Sequence, residues 1–243
     1  MRGCILGYFT VWQGPENNVC DSLNIQKRNE VLIGWSKDGF HWNRENKKPF
    51  LPVSEDFHAW NAGNVQSTAG SPLIVGDSLY FYVSGRYNSK PKHDSNFATG
   101  LAMLRRDGFV SMRAGRKEGY IEIKTQIPAN GNYLFVNADV KGTLAVEVLD
   151  DNGQPMEGFT KKDCISMKKS DKTKQMISWE KHPGVTSLVG KTVRLKFYLN
   201  QADIYAFWIS AWQTGESGGY TGGGGPGLSD EGIDTPMDKL KNN

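Results

Sequence analysis

Aromatic, amide and charged residues cluster in two stretches of the chain that we expect to meet at one site. One stretch supplies a tryptophan followed by amides, and the other supplies an arginine, a histidine and an aspartate. An aromatic ring can pack against the apolar face of a sugar, while amides, arginine and carboxylates hydrogen-bond to its hydroxyls. The candidate substrate-binding residues are Trp60, Asn61, Asn64, Gln66, Arg86, His93 and Asp94.

Each of these residues also has a structural interpretation. Trp60 could pack inside the fold as readily as it could bind a ligand, and Asn61 and Asn64 could simply form turns. Arg86 and His93 could pair with a neighbouring carboxylate. Both interpretations stay open at the level of the sequence.

Glu30 is the best candidate for a catalytic carboxylate, because it lies where a long connection meets an apolar strand. Residues 13–30 and 86–99 form the two long connections, and such connections are more often functional than short ones. The ordinary alternative is an exposed glutamate at a strand end. No histidine has partners at the spacing of a metal site. We therefore expect neither a metal nor another cofactor.

The scaffold for these residues is indicated by a repeat within residues 1–116. Leu32–Phe40 and Leu101–Phe109 share an apolar stretch, an Asp-Gly pair and an aromatic residue, at an offset of about 69 residues. Each copy predicts a β-hairpin, and further strands precede it at Leu6–Trp12 and Leu79–Gly85. About four antiparallel strands per repeat is the unit of a β-propeller blade.

A propeller closes with about 4–8 blades, and residues 1–116 supply fewer than two. We therefore expect residues 1–116 to form the last blades of a larger propeller, so that the chain is a fragment. In that geometry the two long connections and the strand entry at 60–66 face the mouth of the central channel, where the candidate residues would meet.

The second half of the chain predicts a different all-β domain over residues 117–212. Apolar and polar residues alternate along several segments, as in half-buried antiparallel strands, and turn residues separate them. Such a pattern is typical of a β-sandwich. Residues 213–243 are rich in glycine and predict a flexible tail. The five predicted strands are Tyr120–Thr125, Leu134–Ala138, Thr143–Leu149, Val193–Leu199 and Ile204–Ile209.

Composition excludes several classes of function. The formal net charge is +3 with basic and acidic residues interspersed, which argues against nucleic acid as a partner. The lysine-rich segment 161–174 predicts a solvated edge of the sandwich. Three cysteines are too few for a disulfide framework, and no apolar run approaches the roughly 20 residues that span a bilayer.

Two features together resemble a known family. Gly70–Tyr82 and Ser36–Trp42 form one blade-like pattern, and the segments Leu144–Gly153 and Gly190–Leu195 follow it in an appended sandwich. This arrangement is similar to the five-bladed propeller glycosidases of glycoside hydrolase families 32 and 43, in particular to bacterial family-32-like proteins. The resemblance implies an all-β fold, with terminal propeller blades followed by a β-sandwich.

The resemblance also implies hydrolysis of a glycosidic bond in a poly- or oligosaccharide by two carboxyl groups. Family 32 carries its carboxylates in Asn-Asp-Pro, Arg-Asp-Pro and Glu-Cys-Pro motifs, and none of these occurs here. We therefore expect the main catalytic carboxylates to lie upstream of Met1, in a parent glycosidase that is secreted or periplasmic. The alternative is a non-catalytic carbohydrate-binding or interaction module. The sequence leaves the sugar, the linkage and the oligomeric state open.

Overall fold

A computed structural model describes residues 5–25, 27–56, 58–68, 70–88, 95–217, 227–228 and 234–235. Strands make up 53% of the structure and helices 5%, which confirms the all-β prediction. Two compact units are distinguished. The first comprises Met1–Val75 and Leu79–Met103, and the second comprises Gly76–Ser78 and Leu104–Asn243.

The elements follow one another with mostly short connections. The helices are α1 (Asn17–Leu23) and a short 3₁₀ helix (Thr186–Leu188), and the strands are β1 (Ile5–Trp12), β2 (Asn29–Ser36), β3 (Trp42–Asn43), β4 (Asn64–Thr68), β5 (Leu73–Val75), β6 (Ser78–Asn88), β7 (Ser95–Arg105), β8 (Met112–Ala114), β9 (Gly119–Gln126), β10 (Tyr133–Leu149), β11 (Met167–Ile177), β12 (Thr192–Ser210), β13 (Gly227–Leu228) and β14 (Asp234–Thr235).

The first sheet has the order β1-β2-β4-β6-β5, with β3 also paired to β2 and β7 also paired to β6. The pairs β1–β2, β2–β3 and β4–β6 are antiparallel, whereas Asn29 of β2 pairs with Asn64 of β4 in parallel. Aromatic rings fill its core: the ring centroid of Tyr8 lies 5.6 Å from that of Phe50 and 5.7 Å from that of Phe81. Burial of this cluster joins the antiparallel strands to the segment that follows β3.

Only one of the two Asp-Gly pairs closes the hairpin that the sequence predicts. The turn after β2 closes the predicted hairpin, because Ser36 pairs with Trp42. The turn at Asp107 does not, because the strand that follows it, β8, pairs with β12 instead. The long connection predicted over 86–99 is also shorter than expected, since β6 extends to Asn88 and β7 begins at Ser95.

The second sheet has the order β11-β10-β12-β8, with β9 paired to β12 beside β8. Two long strands, β10 and β12, pair from Tyr133 with Ser210 to Leu149 with Arg194. Register shifts at Asn137/Ala138 and at Val140/Thr143 interrupt this pairing, and such bulges bend a strand. Because each long strand is bent, the sequence predicted two shorter strands in place of β10 and two in place of β12.

One continuous apolar core supports the second unit. Residues alternate along β12, so that Val193, Leu195 and Phe197 are buried while their neighbours are partly exposed. Trp179 is fully buried and its Nε1 donates a hydrogen bond 3.0 Å long to the Val146 carbonyl oxygen. Burial of such side chains contributes about 1.5–3 kcal/mol each.

Strand β11 was not predicted as a strand, although its lysines were predicted to lie at a solvated edge. The structure confirms the edge, since β11 lies at the end of the sheet order and pairs only with β10 among the described residues. At the start of the glycine-rich segment, Trp208 Nε1 donates to the Gly215 carbonyl oxygen at 2.9 Å, and Glu216 and Ser217 are buried.

Candidate functional site

A row of four residues crosses the first sheet at one height, and we call it the polar row. Trp12 on β1 pairs with Asn29 on β2, Asn29 pairs with Asn64 on β4, and Asn64 pairs with Arg86 on β6. Directly paired residues are neighbours across adjacent strands. The two ends of the row do not lie on one flat face, because Tyr8, on the Trp12 face of β1, contacts Phe81, which shares its face of β6 with Gly85 and not with Arg86. With neighbouring strands about 4.8 Å apart, the backbone span from Trp12 to Arg86 is about 14 Å.

Exposed aromatic rings lie at both ends of the polar row. Trp12 is 41% exposed, and its Nε1 donates to the Pro15 carbonyl oxygen at 3.0 Å, which fixes the indole. At the other end Phe97 of β7 is 70% exposed and lies under the Arg86 guanidinium, with 4.6 Å between the guanidinium carbon and the ring centroid. A depression of about 580 Å³ adjoins the Trp12 end, lined by Trp12, Gly14, Glu16, Asn17 and Asn18.

Asn64 has a buried acceptor without a donor. The residue is only 7% exposed, and its Oδ1 atom is buried with no hydrogen-bond partner among the described residues. A buried polar atom left unpaired costs about 1–3 kcal/mol. Such an atom in a native fold therefore suggests a position where a ligand, or a water molecule, supplies the missing hydrogen.

Of the predicted binding residues, the structure brings Asn64 and Arg86 together in the polar row. Gln66 is exposed and sits at the bulge between Val65 and Ser67, where its backbone carbonyl oxygen accepts a hydrogen bond from the Thr10 hydroxyl. His93 and Asp94 lie outside the described residues.

Trp60 lies on the other side of the sheet. A Cβ atom added to Gly85 or to Gly100 would come closer than 3.0 Å to the Trp60 ring, so the indole covers the backbone of β6 and β7 at these two glycines. Because successive side chains of a strand point to opposite faces, the Gly85 face is opposite to that of Arg86. The contacts of Trp60 therefore favour packing over ligand binding.

Asn61 holds the segment before it in place. Its Nδ2 donates to the Pro52 carbonyl oxygen at 3.2 Å, and its own carbonyl oxygen accepts from the Ser54 amide at 3.3 Å. These contacts are those of a loop-forming residue.

Glu30 lies within β2, next to Asn29 and therefore on the opposite face from the polar row. Its side chain is 5% exposed, and its Oε1 atom accepts from Arg28 Nη2 at 3.1 Å and from the Val53 amide at 3.3 Å. Arg28 also pairs with Glu55 at 2.8 Å. The carboxylate thus joins the strand to the segment around Val53, and these contacts weigh against a catalytic role, which stays a prediction.

Sequence reasoning missed Trp12, Asn29 and Phe97. Trp12 is the last residue of β1 and Asn29 is the first residue of β2. Antiparallel pairing of these two consecutive strands would have predicted that the two residues lie opposite each other. The alternation of apolar residues along β7 could have marked Phe97 as one of an outward-facing set. The parallel pairing of β2 with β4, which joins Asn29 to Asn64, leaves no signal in the sequence.

The hairpin after β2 forms a second aromatic depression, of about 520 Å³. Asp38 belongs to the Asp-Gly pair that predicts this hairpin, and its Oδ1 accepts from the backbone amides of Phe40 at 2.9 Å and His41 at 2.8 Å. These hydrogen bonds, together with the His41 ring, hold the pKa of Asp38 well below its usual range. The lining residues are Trp35, Lys37, Asp38, His41, Trp42 and Asn43.

One motif was also overlooked: Gly215–Gly219 matches the Gly-x-Ser-x-Gly pattern of serine hydrolases. In those enzymes an exposed serine lies on a sharp turn directly after a strand. Ser217 is buried, and β12 has already ended at Ser210. The described part of this segment therefore lacks the geometry of an activated nucleophile.

No cluster of three or more metal-ligating side chains occurs within the described ranges, and no helix there has the length and apolarity to cross a membrane. Comparisons of the chain with protein-family models, with curated proteins and with solved structures gave no match. The fold and the site geometry are therefore the basis for a functional proposal.

Proposed function

We propose that the chain is the carbohydrate-binding part of a glycosidase-like protein, and that it binds an oligosaccharide along the polar row without cleaving it. The observation that carries this proposal is the succession of paired residues Trp12, Asn29, Asn64 and Arg86 across the first sheet. It combines two buried amide residues, Asn29 and Asn64, with an exposed guanidinium and with an indole at one end, and Phe97 adds a second ring at the other.

The chemistry of the polar row matches what a sugar chain requires. Exposed rings at Trp12 and Phe97 can each pack against the apolar face of a sugar. Between them the amide of Asn64 has an acceptor that lacks a donor, and a sugar hydroxyl is a donor of suitable size. Because Oδ1 of Asn64 is buried, a hydroxyl reaches it only if neighbouring side chains move.

A binding role is better supported than a catalytic one. Cleavage of a glycosidic bond requires two carboxyl groups that flank it. Glu30, the predicted catalytic residue, is buried in an ion pair on the face opposite to the polar row. Hydrolase activity of this chain, which the family resemblance implies, stays a prediction, whereas sugar binding needs none of these carboxyl groups.

For the finer architecture we propose the last blades of a propeller in the first sheet and a β-sandwich in the second. Support for blades comes from the parallel pair of Asn29 with Asn64, which joins the antiparallel pair β1–β2 to the antiparallel pair β4–β6. Support for a sandwich comes from the bends in β10 and β12, because a bent sheet can enclose its own apolar face.

Affinity electrophoresis against a panel of neutral and acidic polysaccharides tests the binding proposal. Trp12→Ala should abolish the retardation that the wild-type chain shows with its ligand, because the ring surface at one end is lost. Trp35→Ala is the matched control, since Trp35 lies on the neighbouring strand and is also 41% exposed. Retention of binding in Trp12→Ala with loss in Trp35→Ala would move the site to the hairpin depression and refute the polar row.

A further inference from the structure

Arg86 has the environment of a carboxylate-binding group. Its side chain is exposed, and its guanidinium stacks on Phe97 at 4.6 Å. Within the part of the chain that the structure describes, no carboxylate lies within salt-bridge distance of Arg86. A stacked guanidinium keeps the N–H donors in its plane free, and these match the two oxygens of a carboxylate.

Charge is distributed unevenly along the polar row. At the Trp12 end, Lys27 Nζ lies 5.7 Å from the indole centroid, and Glu16 lines the adjoining depression. A lysine and a glutamate there offset each other, and beside Asn29 the cation of Arg28 is shared by Glu30 and Glu55. Arg86 is then the cation of the row that has no described carboxylate partner. A ligand with one anionic group would therefore bind with that group at Arg86.

We propose that the oligosaccharide of the polar row carries a carboxylate, as in a glycan that contains uronic acids, and that Arg86 binds this carboxylate through paired hydrogen bonds. The inference rests on the proposed function, because it names the ligand class of the same site. Phe97 holds the guanidinium plane from one side, and the sugar ring that bears the carboxylate lies towards Asn64, the cross-strand neighbour of Arg86.

Isothermal titration calorimetry with matched glycans tests this assignment. The probes are oligosaccharides from polygalacturonate, alginate and glucuronoxylan, each as the free acid and as the carboxyl-reduced neutral form, with dextran sulfate as a probe of charge alone. At least one free acid should bind about tenfold or more tightly than its reduced form, because a charge-assisted pair is lost on reduction.

Substitution of Arg86 distinguishes the contribution of its planar N–H donors from that of its positive charge. Arg86→Lys keeps the charge but loses the planar donors, and it should weaken binding of the free acid about tenfold more than it weakens binding of the reduced form. Arg44→Lys is the matched control, because Arg44 is also exposed and also stacks on a phenylalanine, with 5.4 Å to the ring centroid of Phe9. Both glycan forms should bind this control as they bind the wild type.

Failure of the carboxylate assignment and failure of the proposed sugar binding give different results in these experiments. Equal binding of acid and reduced forms would overturn the carboxylate assignment and leave the proposed sugar binding intact. Binding of dextran sulfate as tight as that of the acids, with no effect of Arg86→Lys, would overturn it in favour of charge alone. Binding of none of the probes or of the neutral panel would refute the proposed function itself.

Discussion

Trp60 and the two glycines beneath it allow a quantitative test of its packing role. At Gly100 the three nearest atoms to an added Cβ all belong to the Trp60 ring, and all are closer than 3.0 Å. Gly100→Ala must therefore displace the indole, and overpacking of this kind costs about 1–3 kcal/mol. Alanine in a strand regains about 0.5–1 kcal/mol relative to glycine. The net loss in the free energy of unfolding should be about 0–2.5 kcal/mol.

The effect of Gly100→Ala on the free energy of unfolding should change sign once the Trp60 ring is removed. In a Trp60→Ala background, Gly100→Ala should stabilise the chain by about 0.5–1 kcal/mol, because only the backbone effect remains. A double-mutant cycle by urea denaturation, followed by circular dichroism, would then give a coupling of about 1–3 kcal/mol. Gly70→Ala is the control, since nothing lies within 4 Å of its added Cβ. A coupling near zero would mean that Trp60 does not cover Gly100, and the indole would again be available for a ligand.

Two further predictions concern carboxylates. Asp38 has a folded pKa below its unfolded value, so its contribution to stability is fully present above the unfolded pKa of about 3.8 and is lost as pH falls towards the folded one. Asp38→Asn should therefore flatten the acid limb of a pH–stability curve measured by thermal melting, and an unchanged acid limb would contradict the turn contacts. Glu30→Ala should lower the free energy of unfolding by about 1–3 kcal/mol, because the Val53 amide loses its buried acceptor, while affinity for a bound glycan stays the same. An unchanged urea midpoint combined with loss of a glycosidase activity would instead establish Glu30 as catalytic.

Local signals in the sequence predicted those elements whose pairing is local. The Ser36–Trp42 hairpin follows from its Asp-Gly turn, and strand β9 follows from the alternation of residues along 120–125. The same Asp-Gly signal failed at Asp107, because a distant strand, β12, is the partner of β8. Strand β11 was missed because its lysines have low strand propensity, and pairing with β10 overrides that propensity.

The candidate site was only partly predictable for the same reason. Asn64 and Arg86 were chosen for their chemistry, and pairing of β4 with β6 brings them together. Trp60 and Glu30 were chosen on the same grounds, but the alternation of faces along β6 and β2 separates them from the row. Residue types predict which chemistry is present, whereas strand register decides which residues share a face.

The length of β10 and β12 has a consequence for synthesis of the chain. The last residue of β10 is Leu149, and β12 begins only at Thr192, so β10 leaves the ribosome well before its most extensive partner is made. Strand β11 lies between them in the sequence and is the first partner available to β10. The lysines of β11 then keep the outer edge of this early two-stranded pair charged before β12 has been synthesised. A charged edge protects the nascent chain from pairing with another copy while the apolar residues of β10 are still uncovered.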